Sequence, residues 1–311
     1  MKKLSSLGFW LIMLLAMVFF PAFGKQEPVP KVLIVDGFSN HDWKQTSAVI
    51  KWLLERTGRF EVDVTTIPLD NSNGVIWDPD FEFYDVVIQN TNNIHKPELK
   101  WPEHAQKRLE KFVKDGGGLY VLHSANNAFP DWEEYNKMIG LGWRSAEMGV
   151  ALEVNAQMNL IRHERGEGKG TSHGDRFDAL VQVMKRHPIN SDYPDAWKTV
   201  NTEVYSFPRG PAENLTVLSS AYDSTDTKKV WPVEWVVSYG KGSVYNSSMG
   251  HLWHGEVYPE SYRCVGFQTT VIRATEWLAT GKVTYPLPAD FPDKNNSSLR
   301  PPDGFTFTSN D

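Results

Sequence analysis

The residues best suited to chemistry in this 311-residue chain are histidines and carboxylates that directly follow apolar runs. His41 comes after Lys31-Val32-Leu33-Ile34-Val35-Asp36-Gly37, His123 ends Leu119-Tyr120-Val121-Leu122, and His251 follows Ser243–Ser247. Short β-branched or apolar runs bounded by Gly read as buried strands. In an open parallel sheet, ligands bind beyond the carboxyl ends of the strands. The three imidazoles are therefore expected at one sheet edge. Glu203 lies within Val200–Ser206, and Glu234 among Trp231, Val233, Trp235 and Val236. An apolar setting raises a carboxyl pKa and suits proton exchange. The expected chemistry is acid–base, with His123 as central base or ligand, Glu234 as the acid, His41 and His251 orienting substrate, and Glu203 as a further carboxylate. Neutral imidazoles with a carboxylate also suit zinc or another divalent ion. A metal, if held, would sit on His41, His123 and His251. No H-E-x-x-H string occurs, and a hydrogen-bonded histidine cluster without metal is the competing reading.

The substrate-binding candidates surround these positions: Asp42, Trp43, Asn90, Ser124, Asn126, Tyr205, Trp235 and Trp253. The chain has 12 Trp, and several fall in or near the strand-end loops. An indole stacks well on a sugar face, although any single Trp more often fills space between loop and sheet. His254 is close enough to alternate with His251. His187-Pro188 reads as a loop turn and makes His187 a weak candidate. The one cysteine, Cys264, excludes an intrachain disulfide framework and a Cys-rich metal site.

The positioning elements follow from pattern. Strands are expected at 31–37, 60–67, 84–89 and 119–122. They alternate with helices at 43–56, 102–114 and 131–139, the second flanked by Pro102 and Gly116. Such alternation means a parallel sheet covered on both faces. Beyond Gly140 the pattern loosens. An alternating stretch at 150–154, a polar loop at 165–174, and strands at 200–206, 216–222, 233–239 and 243–247 precede a closing helix over 261–280. The expectation is one α/β domain with antiparallel additions over 25–285, followed by an extended tail over 286–311.

Together these segments resemble the ThuA-like (trehalose-utilisation) family. The matching pieces are the strand leading to His41-Asp42, Gly116-Gly117-Gly118-Leu119-Tyr120-Val121-Leu122-His123-Ser124-Ala125, His187-Pro188-Ile189, Glu203-Val204-Tyr205, Pro232-Val233-Glu234-Trp235, and Tyr239-Gly240-Lys241-Gly242 leading to Gly250-His251. The resemblance spans Lys31 to Gly281. It implies a flavodoxin-like, class I glutamine-amidotransferase-like α/β fold and a role in carbohydrate use, often alongside oxidoreductases that make 3-keto sugars. Amidotransferases carry a nucleophilic Cys on the sharp turn after a strand. Here His123-Ser124 stands at that place and Cys264 near the last helix, which argues against glutaminase chemistry. A serine-hydrolase reading of Ser124 lacks the G-x-S-x-G elbow.

Composition bounds the partners. With 41% hydrophobic and 23% charged residues the chain is an ordinary globular sequence, and a net charge of -6 without a basic run is unsuited to nucleic acid. Lys2-Lys3, the apolar run Leu7–Phe20 and Ala22-Phe23-Gly24 read as a secretory signal peptide cleaved after Gly24, with a membrane anchor as the alternative. The functional expectation is an exported, periplasmic or secreted enzyme acting on a sugar, 3-keto sugar or glycoside by His/Glu acid–base chemistry, as a hydrolase, lyase or isomerase. A non-catalytic carbohydrate-binding protein on the same fold is the alternative. Small carbohydrates are the expected partners, with no nucleic acid and no membrane once the leader is gone.

Overall fold

The computed structural model describes residues 28–69, 76–301 and 303–308. The expected signal peptide lies outside them. No helix among the described residues is long and apolar enough to cross a membrane.

Twelve strands form one sheet: β1 (Lys31–Asp36), β2 (Glu61–Thr66), β3 (Val86–Gln89), β4 (Gly118–Leu122), β5 (Val150–Val154), β6 (Leu160–His163), β7 (Leu180–Val183), β8 (Ala196–Lys198), β9 (Arg209–Gly210), β10 (Leu215–Tyr222), β11 (Val230–Tyr239) and β12 (Gly242–Ser247). The helices are α1 (Trp43–Glu55), α2 (Glu103–Asp115), α3 (Glu133–Ile139), α4 (Glu260–Arg263) and α5 (Val265–Thr280). The main path runs β2-β1-β3-β4-β12-β11-β10-β7-β8. From β2 to β12 all pairs are parallel, and from β12 onward all are antiparallel.

Period-two alternation divides the core. In β1, Val32 and Ile34 face one layer while Leu33 and Val35 face the other. The first layer takes Val49, Ile50 and Leu53 of α1 with Phe267, Val271 and Ile272 of α5. The second takes Leu109, Phe112 and Val113 of α2 with Tyr135, Met138 and Ile139 of α3. Burial on both faces explains why β1, β3 and β4 read as continuous apolar runs.

The late chain departs from the sequence expectation in several places, and β6 to β9 form where no strand is expected. Residues 200–206 form no strand. They are held instead by isolated bridges, Phe177 to Thr202 and Ser172 to Ser206. The expected closing helix breaks at Cys264, whose ψ of 118° is extended, so α4 and α5 are separate. The tail does not simply run over the surface. Phe307 is buried and Phe305 packs beside it against the α1/α5 layer. The strand carrying the chain towards His251 could have been antiparallel. β12 instead runs parallel to β4, with Ser247 beside Leu122, so both strands end at the same edge.

Candidate functional site

Each of the three strand-end histidines is aimed by its own local structure. Gly37 closes β1 at φ 138°, where an added Cβ would come 2.7 Å from the Ile67 carbonyl oxygen. The chain then reaches His41 and Asp42. The Asp42 carboxylate caps α1 through the Gln45 N–H at 3.1 Å, and the Asp42 N–H donates to the Leu252 carbonyl at 3.1 Å. That bond ties the His41 loop to the segment carrying His251. Gly250, at φ 104°, turns the chain after β12. Ser261 Oγ then donates to the His251 carbonyl at 2.6 Å, and Tyr262 OH to that of Gly250 at 2.9 Å.

His123 itself occupies the left-handed region, at φ 44°, on the sharp turn where β4 meets a short 3-10 segment, His123–Asn127. A non-glycine residue there carries strain on the order of 1–3 kcal/mol and persists only when its surroundings over-determine it. Arg144 does so. This buried guanidinium donates to the carbonyls of Asn126 (3.2 Å), Asn127 (3.1 Å), Ala128 (2.7 Å) and Trp143 (2.9 Å), and through Nε to Asn136 Oδ1 (2.7 Å). The strained strand-to-helix turn expected to carry an amidotransferase nucleophile thus carries an imidazole.

The three rings converge. Their centroids lie 5.0 Å (His41–His123), 4.7 Å (His41–His251) and 5.3 Å (His123–His251) apart. One ring nitrogen from each lies within 4.8 Å of the others. Second nitrogens fix the tautomers. His123 Nδ1 is 2.6 Å from the Ser248 carbonyl, which can only accept, so Nδ1 carries the proton and Nε2 presents a lone pair. That Nε2 is buried and has no hydrogen-bond partner. His41 Nδ1 likewise donates to Asn40 Oδ1 at 3.0 Å. His251 differs, because its Nδ1 accepts from Arg176 at 3.1 Å.

Glu203 stands against this cluster. Its carboxylate oxygens lie 3.7 Å from His123 Nε2, 3.4 Å from His251 Nε2 and 3.5 Å from His173 Nε2. Burial raises its pKa, with His173 and Arg176 pulling the other way. Burial lowers the imidazoles: His123 to about 4 and His251 to about 2, the latter helped by His123 and Arg176, while His41 is depressed by burial and by its two histidine neighbours. The site therefore combines neutral imidazoles with a carboxyl that holds a proton to higher pH than usual. Above them opens a cavity of about 400 Å³, walled by Trp143, Tyr205 and Trp253. Trp253 stacks on His251 (5.6 Å, 13°) and Tyr205 on His173 (5.9 Å, 22°).

Of the sequence candidates, His41, His251, Glu203, Tyr205 and Trp253 line this cavity, and His123 packs against them. Glu234 and Trp235 do not line it, which corrects the assignment of Glu234 as the acid. Glu234 is fully buried within β11 and accepts from Tyr245 OH at 2.5 Å. Trp235 points into the opposite layer, with Nε1 donating to the Ile139 carbonyl at 2.7 Å. The apolar neighbours that made Glu234 attractive are strand alternation within the core. Asp42 is a helix cap, and Asn90 Nδ2 braces the same helix start through the Trp43 carbonyl and Ser47 Oγ. Ser124 and Asn126 are buried in the turn after β4. Trp43 and His254 line a neighbouring cavity of about 470 Å³. His187 caps a short turn and packs on Trp277 at 4.5 Å. Cys264 is buried, its thiol pushed up by burial, and it lines neither cavity.

Sequence reasoning missed His173 and Arg176. Both sit where no apolar run precedes them, so strand-end logic gave them no place. The bridge between Ser172 and Ser206, and that between Phe177 and Thr202, lace this segment to the one carrying Glu203.

A mixed α/β sheet, parallel in its first half and ending there in the strained turn that carries His123, is consistent with a glutamine-amidotransferase-like fold bearing an imidazole–carboxylate cluster. Residues 31–278 match the ThuA family model, described as trehalose utilisation, and the chain belongs to that family. A ThuA-like protein from Parabacteroides merdae ATCC 43184 is 31% identical, with a TM-score of 0.79 over 88% of this chain and 98% of its own. A ThuA-like protein from Bacteroides uniformis ATCC 8492 shares the fold at 15% identity and a TM-score of 0.51, over 85% of this chain and 98% of its own. Among curated proteins none matches.

Proposed function

We propose that this protein is an exported enzyme that acts on a 3-keto sugar or 3-keto glycoside by proton transfer between imidazole and carboxyl groups. A carbohydrate-related role accords with the family. The observation that carries the reading is the buried, unpartnered Nε2 of His123 lying 3.7 Å from the Glu203 carboxylate. A ketone acidifies the neighbouring C–H, so a neutral imidazole of modest basicity can remove that proton. In an elimination, His123 Nε2 takes the proton from C2, and the electron pair of that bond forms C1=C2. The C1–O bond breaks, and the departing oxygen takes the proton held by Glu203. Atoms and charges balance without an external oxidant. Trp143, Tyr205 and Trp253 supply flat apolar faces for the pyranose ring. The charged start and apolar run of the first segment support export.

The test is incubation with native and 3-keto disaccharides, with products read by mass. Cleavage or rearrangement of the keto sugar alone is the expected result. Saturable sugar binding without turnover, retained in His123→Ala, would instead favour the non-catalytic carbohydrate-binding reading.

A further inference from the structure

We propose that His41, His123 and His251 hold a divalent cation of the zinc class at the floor of the cavity, with Glu203 as the adjoining negative charge. Three observations lead there. First, the candidate nitrogens lie within 4.8 Å of one another. Two zinc–nitrogen bonds of about 2.1 Å span at most about 4.2 Å, so small side-chain rotations close the cage. Second, His123 and His41 each donate their other ring N–H to a fixed oxygen, the Ser248 carbonyl and Asn40 Oδ1. A ligating histidine is characteristically oriented in this way. Third, His123 Nε2 is buried without any hydrogen-bond partner, and a cation supplies one. Imidazole ligands with no thiolate suit zinc, cobalt, nickel or iron over magnesium or calcium.

His251 is held in the other tautomer. Arg176 donates to its Nδ1, which leaves the proton of the neutral ring on Nε2, the nitrogen facing Glu203. Ligation through Nε2 therefore moves that proton to Nδ1 and releases Arg176. The guanidinium keeps a second partner, Glu256, at 2.6 Å. Arg176 thus opposes the cation both by its charge and by the tautomer it selects, while Glu203 favours it. A cation on His123 Nε2 takes the lone pair that acts as base in the function proposed above, so in the loaded protein the Glu203 carboxylate, 3.7 Å away, is the proton acceptor; the binding itself does not rest on that function.

The experiment uses chelator-stripped full-length protein titrated with Zn²⁺ by calorimetry and with Co²⁺ by visible absorption, with Mg²⁺ as control. Expected are one Zn²⁺ or Co²⁺ per chain, ligand-field bands for bound Co²⁺ and no Mg²⁺ binding. His123→Ala should weaken binding at least about 100-fold, and Arg176→Gln should tighten it. Because His123→Ala relieves or disturbs a strained turn, Asn40→Ala gives a second reading and should weaken binding by about 10–100-fold. Absence of Zn²⁺ and Co²⁺ binding, or equal affinity in wild type and both weakening variants, overturns the site. Keto-sugar turnover by a protein that binds neither cation overturns the site while leaving the acid–base reading standing. Stoichiometric binding without turnover does the reverse.

Discussion

Arg176 and His251 are 75 residues apart, and the 3.1 Å contact from the guanidinium to Nδ1 decides which nitrogen of that ring faces Glu203. The same guanidinium pairs with Glu256 and so bridges the segment before β7 to the loop after β12. Glu203 is left beside three imidazole nitrogens at 3.4 to 3.7 Å, each farther than a well-made hydrogen bond. A carboxyl enclosed at these distances is free to exchange its proton with a ligand that enters the cavity.

Glu203→Gln should lower keto-sugar turnover by about 10²–10⁴-fold, the usual contribution of a positioned acid or base. Glu234→Gln should leave turnover within about twofold, because that carboxyl is hydrogen-bonded to Tyr245 inside the sheet. Burial also raises the Glu234 pKa, so a neutral amide replaces a group already inclined to be neutral. Parallel kinetics on the two variants check this. Equal losses would restore Glu234 to the mechanism.

Arg144→Met should destabilise the fold by about 3 kcal/mol or more, since it strands several buried carbonyls whose charge-assisted bonds are lost. Lysine should rescue little, because a single ammonium cannot reproduce the planar fork that reaches Asn126, Asn127, Ala128 and Asn136 together. Urea unfolding of the two variants measures this. A shift under about 0.5 kcal/mol, the range of an ordinary surface change, would show that the turn holds His123 without the clamp.

His187 is lowered to about 4, chiefly by burial and secondarily by Lys185. The unfolded ring has a pKa of about 6.5. Its neutral form is therefore favoured by folding, and its contribution to stability is present above about 6.5. That contribution is lost as pH falls towards about 4, below which no further loss arises from this group. His187→Gln should flatten that part of the pH–stability curve, as read by thermal melts between pH 4 and 7.5. An unchanged acid limb would mean that the ring is as easily protonated folded as unfolded.

Cys264→Ala should leave turnover and sugar binding intact while costing about 1 kcal/mol for the small void it opens. The thiol is buried where α4 gives way to α5 and lines neither cavity. Steady-state rates and melting temperature check the pair of expectations. A large rate loss at preserved stability would place the thiol in the reaction.

The strand–helix alternation of the first 140 residues, the doubly buried sheet and the strand-end positions of His41, His123 and His251 were legible from the residues alone. These depend on periodicity and on local backbone rules. Burial on both faces demands uninterrupted apolar runs, and chemistry collects where such strands end. Glu203 was visible as a candidate, but its proper rank above Glu234 was not. A carboxylate in an apolar run looks the same whether it faces a cavity or the core, and only the pleat of β11 against Tyr245 separates the two. His173, Arg176 and Arg144 carried no periodic signal. Their roles arise from contacts over sequence separations of 30 residues with Glu203, 75 with His251, and 16 to 18 with the turn carbonyls. Direction was also a tertiary matter. The residues of β12 fit a parallel or an antiparallel strand equally well, and it was pairing with β4 that brought His251 to the edge already holding His41 and His123.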